Sequence, residues 1–435
     1  MKLSHLLVPF VLCNIATVHG SKRNERSWSE LDDIIDDAIK RGAFPGAIQL
    51  IATEDKILFE SARGTFTYGA PAPATGTNPA VTSDTLWDLA SISKVFGATT
   101  AAALLYQNGH LDLDARVSDI LPDYAQGGKG ATTIRHLFLH NAGLPCDPIP
   151  GYYQAKFGCP ESQKADPKIT FTCRARCFAQ MMAQELKNPI GAKYVYCDMC
   201  LMIAAHVVGK LAYEHGYVTA SDVNPACPLN EGGWEQCYYD AFVRRYIFDA
   251  LKLRDTMFNP PEELWYRVAP TENDTWYRHR IVQGQIHDEN TYAMGGIAGH
   301  AGIFSTAGDL LTFTRKWLFA AEDEKNFVNR TTADYFTKIY NKTQSSRAIG
   351  WNTNDPEAKG YGDGGMCGSL SPRTYLHTGF TGTLVCADPD RKLAVILLTN
   401  RIYTTRNNDL QDVIRPIWST AVQEIFDYMK AEGKL

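Results

Sequence analysis

The sharpest chemical signal in the sequence is a serine followed three residues later by a lysine, in Ser91-Ile92-Ser93-Lys94. Three residues make about one helical turn, so the two side chains are expected on the same face and within reach of each other. A serine in a first helical turn also lies beside unpaired N–H groups and the positive end of the helix dipole, which favour a developing alkoxide. Because its surroundings are apolar, Lys94 is expected to accept the serine proton near neutral pH. The alternative is a plain serine N-cap followed by a solvated lysine.

Two further groups of residues could serve such a nucleophile. Tyr196 stands just before a helical pattern, and a phenol close to Lys94 could relay the proton, with its pKa lowered by the neighbouring cation. His377-Thr378-Gly379-Phe380 lies on a predicted strand, where a glycine lets a carbonyl approach the backbone and the next N–H forms half of an oxyanion hole. The alternatives are a core tyrosine and an ordinary strand edge followed by a turn.

The apolar spacing of the chain predicts the elements that hold these residues. The run from Ser91 to Asn108-Gly109 is apolar almost all round, which is typical of a central buried helix that stops at the Asn-Gly pair. Other helices are predicted over 29–41, 135–139, 178–186, 201–213, 234–251 and 413–429, and strands over 47–52, 57–62, 374–378, 383–387 and 393–399.

The strands therefore stand at both ends of the sequence and the helices fill its middle. This order predicts an α/β protein in which an antiparallel sheet flanked by helices is built from both chain ends, with a mainly helical domain inserted. We expect residues 1–20 to be a signal peptide, residues 21–110 and 300–435 to form the sheet domain, and residues 111–299 to form the helical, disulfide-rich insertion.

The three chemical patterns together resemble a known family. The order and spacing of three motifs are similar to those of the serine β-lactamase and penicillin-binding-protein family, above all its class C and esterase-like branch. The motifs are S-x-x-K at Ser91, Y-x-[ND] at Tyr196 and [KH]-T-G at His377. Further similar blocks lie at 88–90, 134–144, 294–307 and 398–400, so that the resemblance extends over roughly residues 43–425. It implies the β-lactamase and transpeptidase fold.

The resemblance also implies roles for single residues. Ser91 would be the acylated nucleophile, Lys94 its activating base and Tyr196 a proton relay. The backbone N–H groups of Ser91 and Phe380 would form the oxyanion hole, and Thr378 would line the site.

Two residues depart from the pattern of the lactamases. Asp198 stands where they usually have Asn, and His377 stands where they have Lys. A histidine with an ordinary pKa of about 6.5 is mostly neutral at neutral pH, so recognition of an anionic β-lactam should be weaker. An esterase, amidase or peptidase role therefore fits better than antibiotic resistance. We expect Asp198, His377, Thr378, Gly379 and Phe380 to bind the substrate.

Neither a metal nor a cofactor is expected. His287-Asp288-Glu289 and His300 invite a metal interpretation, but adjacent residues of a strand point to opposite faces and no second ligand pair stands at a zinc spacing. Cys197 and Cys200 have the spacing of a zinc knuckle or of a redox pair. The sequence offers no convincing further residues that would complete either kind of site. Disulfide bonds are the preferred interpretation of these two cysteines.

The cysteine count and the N-terminus predict an exported protein. Lys2, an apolar stretch over 6–12 and small residues at 18–20 are typical of a secretory signal, and no apolar run is long enough to span a bilayer. Removing the signal leaves ten of the 11 Cys, which allows up to five disulfides, chiefly between Cys146 and Cys237. The sequons at Asn273, Asn329 and Asn341 are candidate glycosylation sites.

Charge excludes two classes of partner. The chain carries 43 Lys and Arg against 48 Asp and Glu with no long run of either sign, so it lacks the footprint of a nucleic-acid or anionic-membrane protein.

The leading hypothesis is a secreted serine hydrolase that acts through an acyl-enzyme on an ester, amide or D-amino-acid peptide, with a small acyl-bearing substrate as its partner. The alternative is a non-catalytic extracellular matrix protein that keeps the fold and binds matrix components. Gigasin-type proteins of mollusc shell matrix are exported animal members of the family that the chain resembles.

Overall fold

The computed structural model of the protein describes residues 25–159, 173–359 and 365–435. The predicted signal peptide, residues 1–20, lies outside them. The strands are β1 (Gly46–Ala52), β2 (Ile57–Gly64), β3 (Trp87–Asp88), β4 (Met257–Phe258), β5 (Asn273–Asp274), β6 (Arg280–Ile281), β7 (Ile303–Ser305), β8 (Asn352–Thr353), β9 (Tyr375–Gly379), β10 (Thr383–Asp388) and β11 (Leu393–Thr399).

The α-helices are α1 (Glu30–Lys40), α2 (Thr100–Gln107), α3 (Val117–Ile120), α4 (Ile134–Phe138), α5 (Arg174–Ala183), α6 (Asp198–Glu214), α7 (Glu235–Val243), α8 (Glu289–Ala293), α9 (Ala307–Leu318), α10 (Arg330–Thr337) and α11 (Leu410–Ala431). Short 3₁₀ segments cover Ala90–Ile92, Pro122–Gly128, Ala155–Phe157, Ala220–Asp222, Glu262–Arg267 and Gly365–Cys367, and π-helical segments cover Lys94–Thr99 and Arg244–Asp249.

The main sheet joins the two ends of the chain. Its six strands are ordered β2-β1-β11-β10-β9-β8, and neighbours run antiparallel, with Leu50 of β1 opposite Ile396 of β11. The predicted α/β architecture, with an antiparallel sheet from both chain ends and helices between them, is confirmed. The proposed domain boundaries stay a prediction.

Both faces of the sheet are buried, which explains why its central strands β1 and β11 are apolar at most positions. Ile51 and Val395 pack on one face with Trp418 of α11, whereas Ile48 and Ile396 on the other face belong to the larger core shared with the middle helices. Since side chains alternate along a strand, each central strand contributes to two cores at once.

The central apolar run forms three successive helical segments rather than one regular helix. A 3₁₀ turn at Ala90–Ile92 is followed by the π-helical segment Lys94–Thr99 and then by α2, which ends before Asn108 and Gly109 as predicted. Gly97 lies against Tyr239, where a Cβ atom would overlap the phenol oxygen. Lys94 and the residues that follow it to Leu105 are buried, so the expectation of a central buried element holds, but widened turns of this kind escape a pattern with a period of 3.6.

Three disulfides occur among the described residues, fewer than the five that the cysteine count allowed. They join Cys159 to Cys173, Cys227 to Cys237 and Cys367 to Cys386. Cys146, Cys177, Cys197 and Cys200 are free thiols. The disulfide interpretation of Cys197 and Cys200 is therefore wrong: Cys197 instead caps helix α6, where its Sγ accepts a hydrogen bond from the Cys200 N–H at 3.0 Å.

The three sequons lie outside the main sheet, and their glycosylation stays a prediction. Asn273 and Asn341 are exposed, whereas Asn329 is half-buried and caps helix α10, with its side-chain oxygen accepting the Thr332 N–H at 2.9 Å. Within the described ranges, none of the helices combines the length and the apolar character needed to cross a membrane.

Candidate active site

Ser91 and Lys94 lie side by side, as their spacing predicts. The Lys94 side chain is fully buried, and its Nζ donates hydrogen bonds to Ser91 Oγ at 2.8 Å and to the carbonyl oxygen of His300 at 3.1 Å. A third partner, Oδ1 of Asp198, lies 2.6 Å from the same nitrogen. The lysine nitrogen therefore contacts these three oxygen atoms, one of which belongs to a carboxylate from a segment about a hundred residues away.

The protonation state of Lys94 differs from the expectation based on its apolar surroundings. Burial disfavours the charged amine, but the Asp198 carboxylate and the Tyr196 oxygen favour it more strongly, and the pKa of Lys94 is raised above its ordinary value. The direction of this pKa shift favours an ammonium ion at neutral pH, opposite to the direction expected from apolar surroundings alone. The cause of the shift is the carboxylate at position 198, where the lactamases usually have an amide. The role of Lys94 as the activating base stays a prediction.

Tyr196 lies next to the lysine, as predicted, but its pKa is raised rather than lowered. Burial disfavours the phenolate and outweighs the attraction of Lys94, whose Nζ lies 4.9 Å from the centre of the Tyr196 ring. The imidazole of His140 stacks on the Tyr196 ring, with 4.8 Å between the two ring centres. At neutral pH Tyr196 is therefore a phenol that can donate a proton but is not ready to accept one.

The segment that carries Tyr196 and Asp198 is fixed by backbone hydrogen bonds at the start of helix α6. The N–H of Cys197 donates to His140 Nδ1 at 2.9 Å, and the N–H of Asp198 donates to the carbonyl oxygen of Cys146 at 2.9 Å. Burial lowers the pKa of His140 well below its ordinary value, which favours a neutral ring. Its Nδ1 also lies 3.1 Å from the carbonyl oxygen of Cys197. His140 positions the phenol and the carboxylate, a role that the sequence analysis did not assign to it.

The predicted strand with His377 closes the site from the sheet side. Burial, together with the cations Arg347 and Lys94, lowers the pKa of His377 well below its ordinary value. Its Nδ1 lies 2.8 Å from the Thr378 carbonyl oxygen, which can only accept, so the ring carries its proton on Nδ1. The expectation of a neutral histidine in place of a lysine cation agrees with this environment.

Gly379 allows the strand to approach the turn that carries the serine. A Cβ atom at this position would overlap the carbonyl oxygen of Leu89 and would lie 3.3 Å from the Cβ of Ala90. The hydroxyl groups of Thr381 and Thr383 donate to the carbonyl oxygens of Asp88 and Leu89, at 2.6 and 3.1 Å. We expected the glycine to make room for a substrate carbonyl; in the structure it makes room for the protein's own backbone.

Asp88 is a structural residue of the site that the sequence analysis named only as part of a similar block. Its carboxylate accepts the N–H of Ala90 at 2.9 Å and the N–H of His287 at 2.8 Å. Burial nevertheless raises its pKa to about 6. These bonds hold Ala90 in a left-handed conformation with φ of 45°, directly before Ser91. An aspartate two residues before such a turn is the signal that could have indicated this role.

The predicted site residues, except the deeply buried Lys94, border one cavity of about 570 Å³. Its wall includes the predicted nucleophile, the phenol, the carboxylate and the strand residues, which are Ser91, Tyr196, Asp198, His377, Thr378, Gly379 and Phe380. The ladder between β9 and β10 ends at the Gly379–Thr383 pair, so the Phe380 N–H lies beyond it, on the cavity wall. The oxyanion hole expected at the N–H groups of Ser91 and Phe380 stays a prediction.

A cluster of titratable side chains lies at one end of the cavity. Glu272, His287 and Glu289 have ligand atoms within 4.8 Å of one another, a geometry that could hold a metal ion. The guanidinium of Arg406 pairs with both carboxylates, and His287 Nε2 lies 3.0 Å from Glu272 Oε2. An arginine thus occupies the position where a cation would neutralise the acids, and the absence of a metal stays a prediction.

Asp288 and His300, also considered as ligands, contact each other instead, with 3.0 Å between Asp288 Oδ1 and His300 Nε2. We had assumed that residues 287–289 form a strand, but in the structure they do not. They lead into helix α8, where Asp288 is the N-cap and accepts the Thr291 N–H.

The sheet of six antiparallel strands, the inserted helices and the Ser-x-x-Lys turn at their junction define the β-lactamase and transpeptidase class of protein. The chain belongs to the Beta-lactamase family, whose model matches residues 31–415.

Two curated relatives are similar along most of their length. The chain is 27% identical to an N-acetylmuramyl-L-alanine amidase of Bacillus subtilis (strain 168), over 92% of this chain and 86% of that protein. It is 26% identical to a putative D-alanyl-D-alanine carboxypeptidase of Escherichia coli (strain K12), over 87% of this chain and 83% of that protein.

Among solved structures, a penicillin-binding-protein homologue from Caulobacter crescentus superposes with a TM-score of 0.63. The superposition covers 91% of this chain and 97% of that one, at 18% sequence identity. This similarity confirms the predicted fold. The family hypothesis is likewise confirmed, whereas none of these findings bears on the matrix-protein hypothesis.

Proposed function

We propose that the protein is a serine hydrolase that forms an acyl-enzyme at Ser91 and acts on an amide, an ester or a D-amino-acid peptide. The single observation that carries the proposal is the contact between Ser91 Oγ and Lys94 Nζ at the edge of the cavity, with Tyr196 and the strand residues around it. The amidase and carboxypeptidase names of the curated relatives support an amide bond as the target.

The reaction would begin with attack of Ser91 Oγ on the substrate carbonyl carbon, while the Ser91 proton passes to Lys94 Nζ, which releases one of its own protons to the neighbouring carboxylate. The negative charge that develops on the carbonyl oxygen would be stabilised by the N–H groups of Ser91 and Phe380. Because Tyr196 keeps its proton at neutral pH, we assign it the role of donor to the leaving nitrogen or oxygen. Water would then release the acyl group by the reverse sequence.

We propose an exported location for this activity. The N-terminal signal pattern and the three disulfides support a location in an oxidising compartment.

Labelling with a fluorophosphonate or a penicillin-type acylator, followed by peptide mapping, tests the proposal. We expect a single adduct on Ser91 in the wild type and none in Ser91→Ala. Ser83→Ala, which removes an exposed hydroxyl nearby in sequence, should label like the wild type. An adduct that persists in Ser91→Ala would contradict the proposal.

Hydrolysis of short-chain p-nitrophenyl esters separates the enzyme from the matrix-protein hypothesis. Turnover that disappears in Lys94→Ala is expected of the enzyme. Lack of both labelling and turnover in the wild type would favour a matrix protein that has kept the fold.

A further inference from the structure

We propose that Asp198 is a positioning residue of the reaction: it holds Lys94 as an ammonium ion and takes a proton from it when Ser91 attacks. The inference rests on the proposed function and goes beyond it, since the family resemblance assigns position 198 no more than contact with the substrate.

Four oxygen partners surround Lys94 Nζ and leave it no free position, since the Tyr196 hydroxyl is hydrogen-bonded to it as well. Burial raises the pKa of Tyr196, so this phenol holds its own proton. An ammonium group has three N–H donors and no lone pair. In the structure those donors meet Ser91 Oγ at 2.8 Å, the His300 carbonyl oxygen at 3.1 Å and Asp198 Oδ1 at 2.6 Å. Lys94 can therefore receive the proton of Ser91 only if it releases one of its own.

Asp198 is the one partner of Lys94 that can accept the released proton. The His300 carbonyl oxygen is not a base, and Ser91 is the group that loses a proton. Asp198 is anionic, it lies nearest to the lysine nitrogen, and its side chain is 18% exposed at the cavity, whereas the lysine is fully buried. Charge-assisted contacts of this length are the strong ones, so the pair is preorganised for transfer.

The groups around Asp198 agree with this assignment. Lys94 faces it from the central helical run, Tyr196 and Cys197 from its own segment, and Cys146 and Asp147 from the loop before it. Farther along the cavity wall lie the titratable or charged side chains of Asp288, His300 and Arg347. Lys94 is the one among them that contacts both the Asp198 carboxylate and the serine oxygen.

The step balances in protons and electron pairs. The Ser91 O–H bond breaks and a bond forms from its oxygen to the substrate carbonyl carbon, whose π pair moves to the carbonyl oxygen. The serine proton goes to Lys94 Nζ as one Nζ–H bond breaks and an Asp198 O–H bond forms. When the tetrahedral adduct collapses, the leaving atom takes the bonding pair and the Tyr196 proton. Asp198 then returns its proton through Lys94 to Tyr196.

The test is the pH dependence of acylation, measured in single turnover with a p-nitrophenyl ester. Asp198→Asn should acylate about 100-fold or more slowly than the wild type at pH 7, since an amide accepts no proton, and should gain rate towards alkaline pH as Lys94 itself deprotonates. Asp198→Glu, which keeps a carboxylate, should restore part of the rate.

Asp147→Asn is the matched control, because it removes another carboxyl group of the same cavity that does not contact Lys94. It should acylate Ser91 at close to the wild-type rate at pH 7. Melting temperatures of all variants show whether each one is folded. If Asp198→Asn acylates as fast as the wild type at pH 7, Lys94 is the base by itself and the inference is overturned.

Nitrogen-15 NMR of the Lys94 side chain supplies a readout that does not depend on turnover. The amine should titrate at a lower pH in Asp198→Asn than in the wild type. Equal titration in the two proteins overturns the inference even if Ser91 is acylated. Absence of a Ser91 adduct in the wild type, with the shifted titration intact, instead contradicts the proposed function and confines Asp198 to holding the ammonium.

Discussion

Gly379 lies directly against the carbonyl oxygen of Leu89, so that the last residue of strand β9 touches the turn that carries Ser91. The contact leaves no room for a side chain. Two hydroxyl groups of the same strand–turn region, those of Thr381 and Thr383, donate to the turn as well. The distance between the nucleophile and the far wall of the cavity is therefore set by one backbone contact between the sheet and the central helical run.

Gly379→Ala should separate the strand from the turn. The added methyl group overlaps backbone that cannot rotate away, and overpacking of this kind costs about 1–3 kcal/mol of unfolding free energy. We expect acylation of Ser91 to fall at least tenfold, because the Phe380 N–H moves with the strand. Urea unfolding and single-turnover acylation measure the two effects. Gly130→Ala, where a Cβ atom meets nothing within 4 Å, is the control. Equal loss in both variants would show that the contact is not special.

Asp88→Asn should change the pH dependence of stability. The pKa of this buried carboxyl is raised to about 6 from 3.8, so between those values the folded state binds more protons than the unfolded state. The wild type should lose about 2–3 kcal/mol of stability from this group as pH rises from about 4 to 7.

Asparagine does not ionise but cannot accept both N–H groups, so the variant should be less stable than the wild type at pH 4. The deficit should shrink towards pH 7. Urea unfolding at pH 4, 5, 6 and 7 measures it, with the exposed Asp123→Asn as control. A deficit that is constant with pH would refute the assignment.

His377→Lys should alter the preference between substrates. The wild-type ring is neutral, because burial and the nearby Arg347 and Lys94 lower its pKa, and it offers no charge to a substrate carboxylate. A lysine adds a cation on the cavity wall. The ratio of kcat/KM for a D-amino-acid peptide with a free carboxylate to that of its C-terminal amide should rise about tenfold. His215→Lys, at an exposed histidine, should leave the ratio unchanged. An unchanged ratio in His377→Lys would contradict the prediction.

The Cys367–Cys386 disulfide should stabilise the sheet domain. It ties the short helical segment Gly365–Cys367 to the buried strand β10 across 19 residues. Replacing both cysteines by Ser should cost about 2–4 kcal/mol of unfolding free energy, since the unfolded chain is no longer constrained. The free Cys146→Ser should have little effect. Urea unfolding with and without a reductant distinguishes the two, and equal stability of all three proteins would argue against the bond.

Local patterns along the chain were sufficient for the elements and for the Ser91–Lys94 contact. Apolar periodicity was enough to predict the strands 393–399 and 57–62, and a stop signal was enough to predict where the helix before Asn108-Gly109 ends. Both are properties of residues that are neighbours in the sequence. The contact between Ser91 and Lys94 likewise follows from one turn of helix. Motif order was enough for the family and hence for the fold.

Long-range packing decided the rest, because the protonation state of a side chain depends on the groups that lie nearest to it in space. Whether Lys94 is charged depends on Asp198, which a helix cap and His140 hold beside it from far along the chain. The pairing of the cysteines and the contact of Gly379 with Leu89 likewise arise only when the sheet and the helices pack together. Apolar spacing can show that a lysine is buried, but only the folded arrangement shows which carboxylate lies beside it.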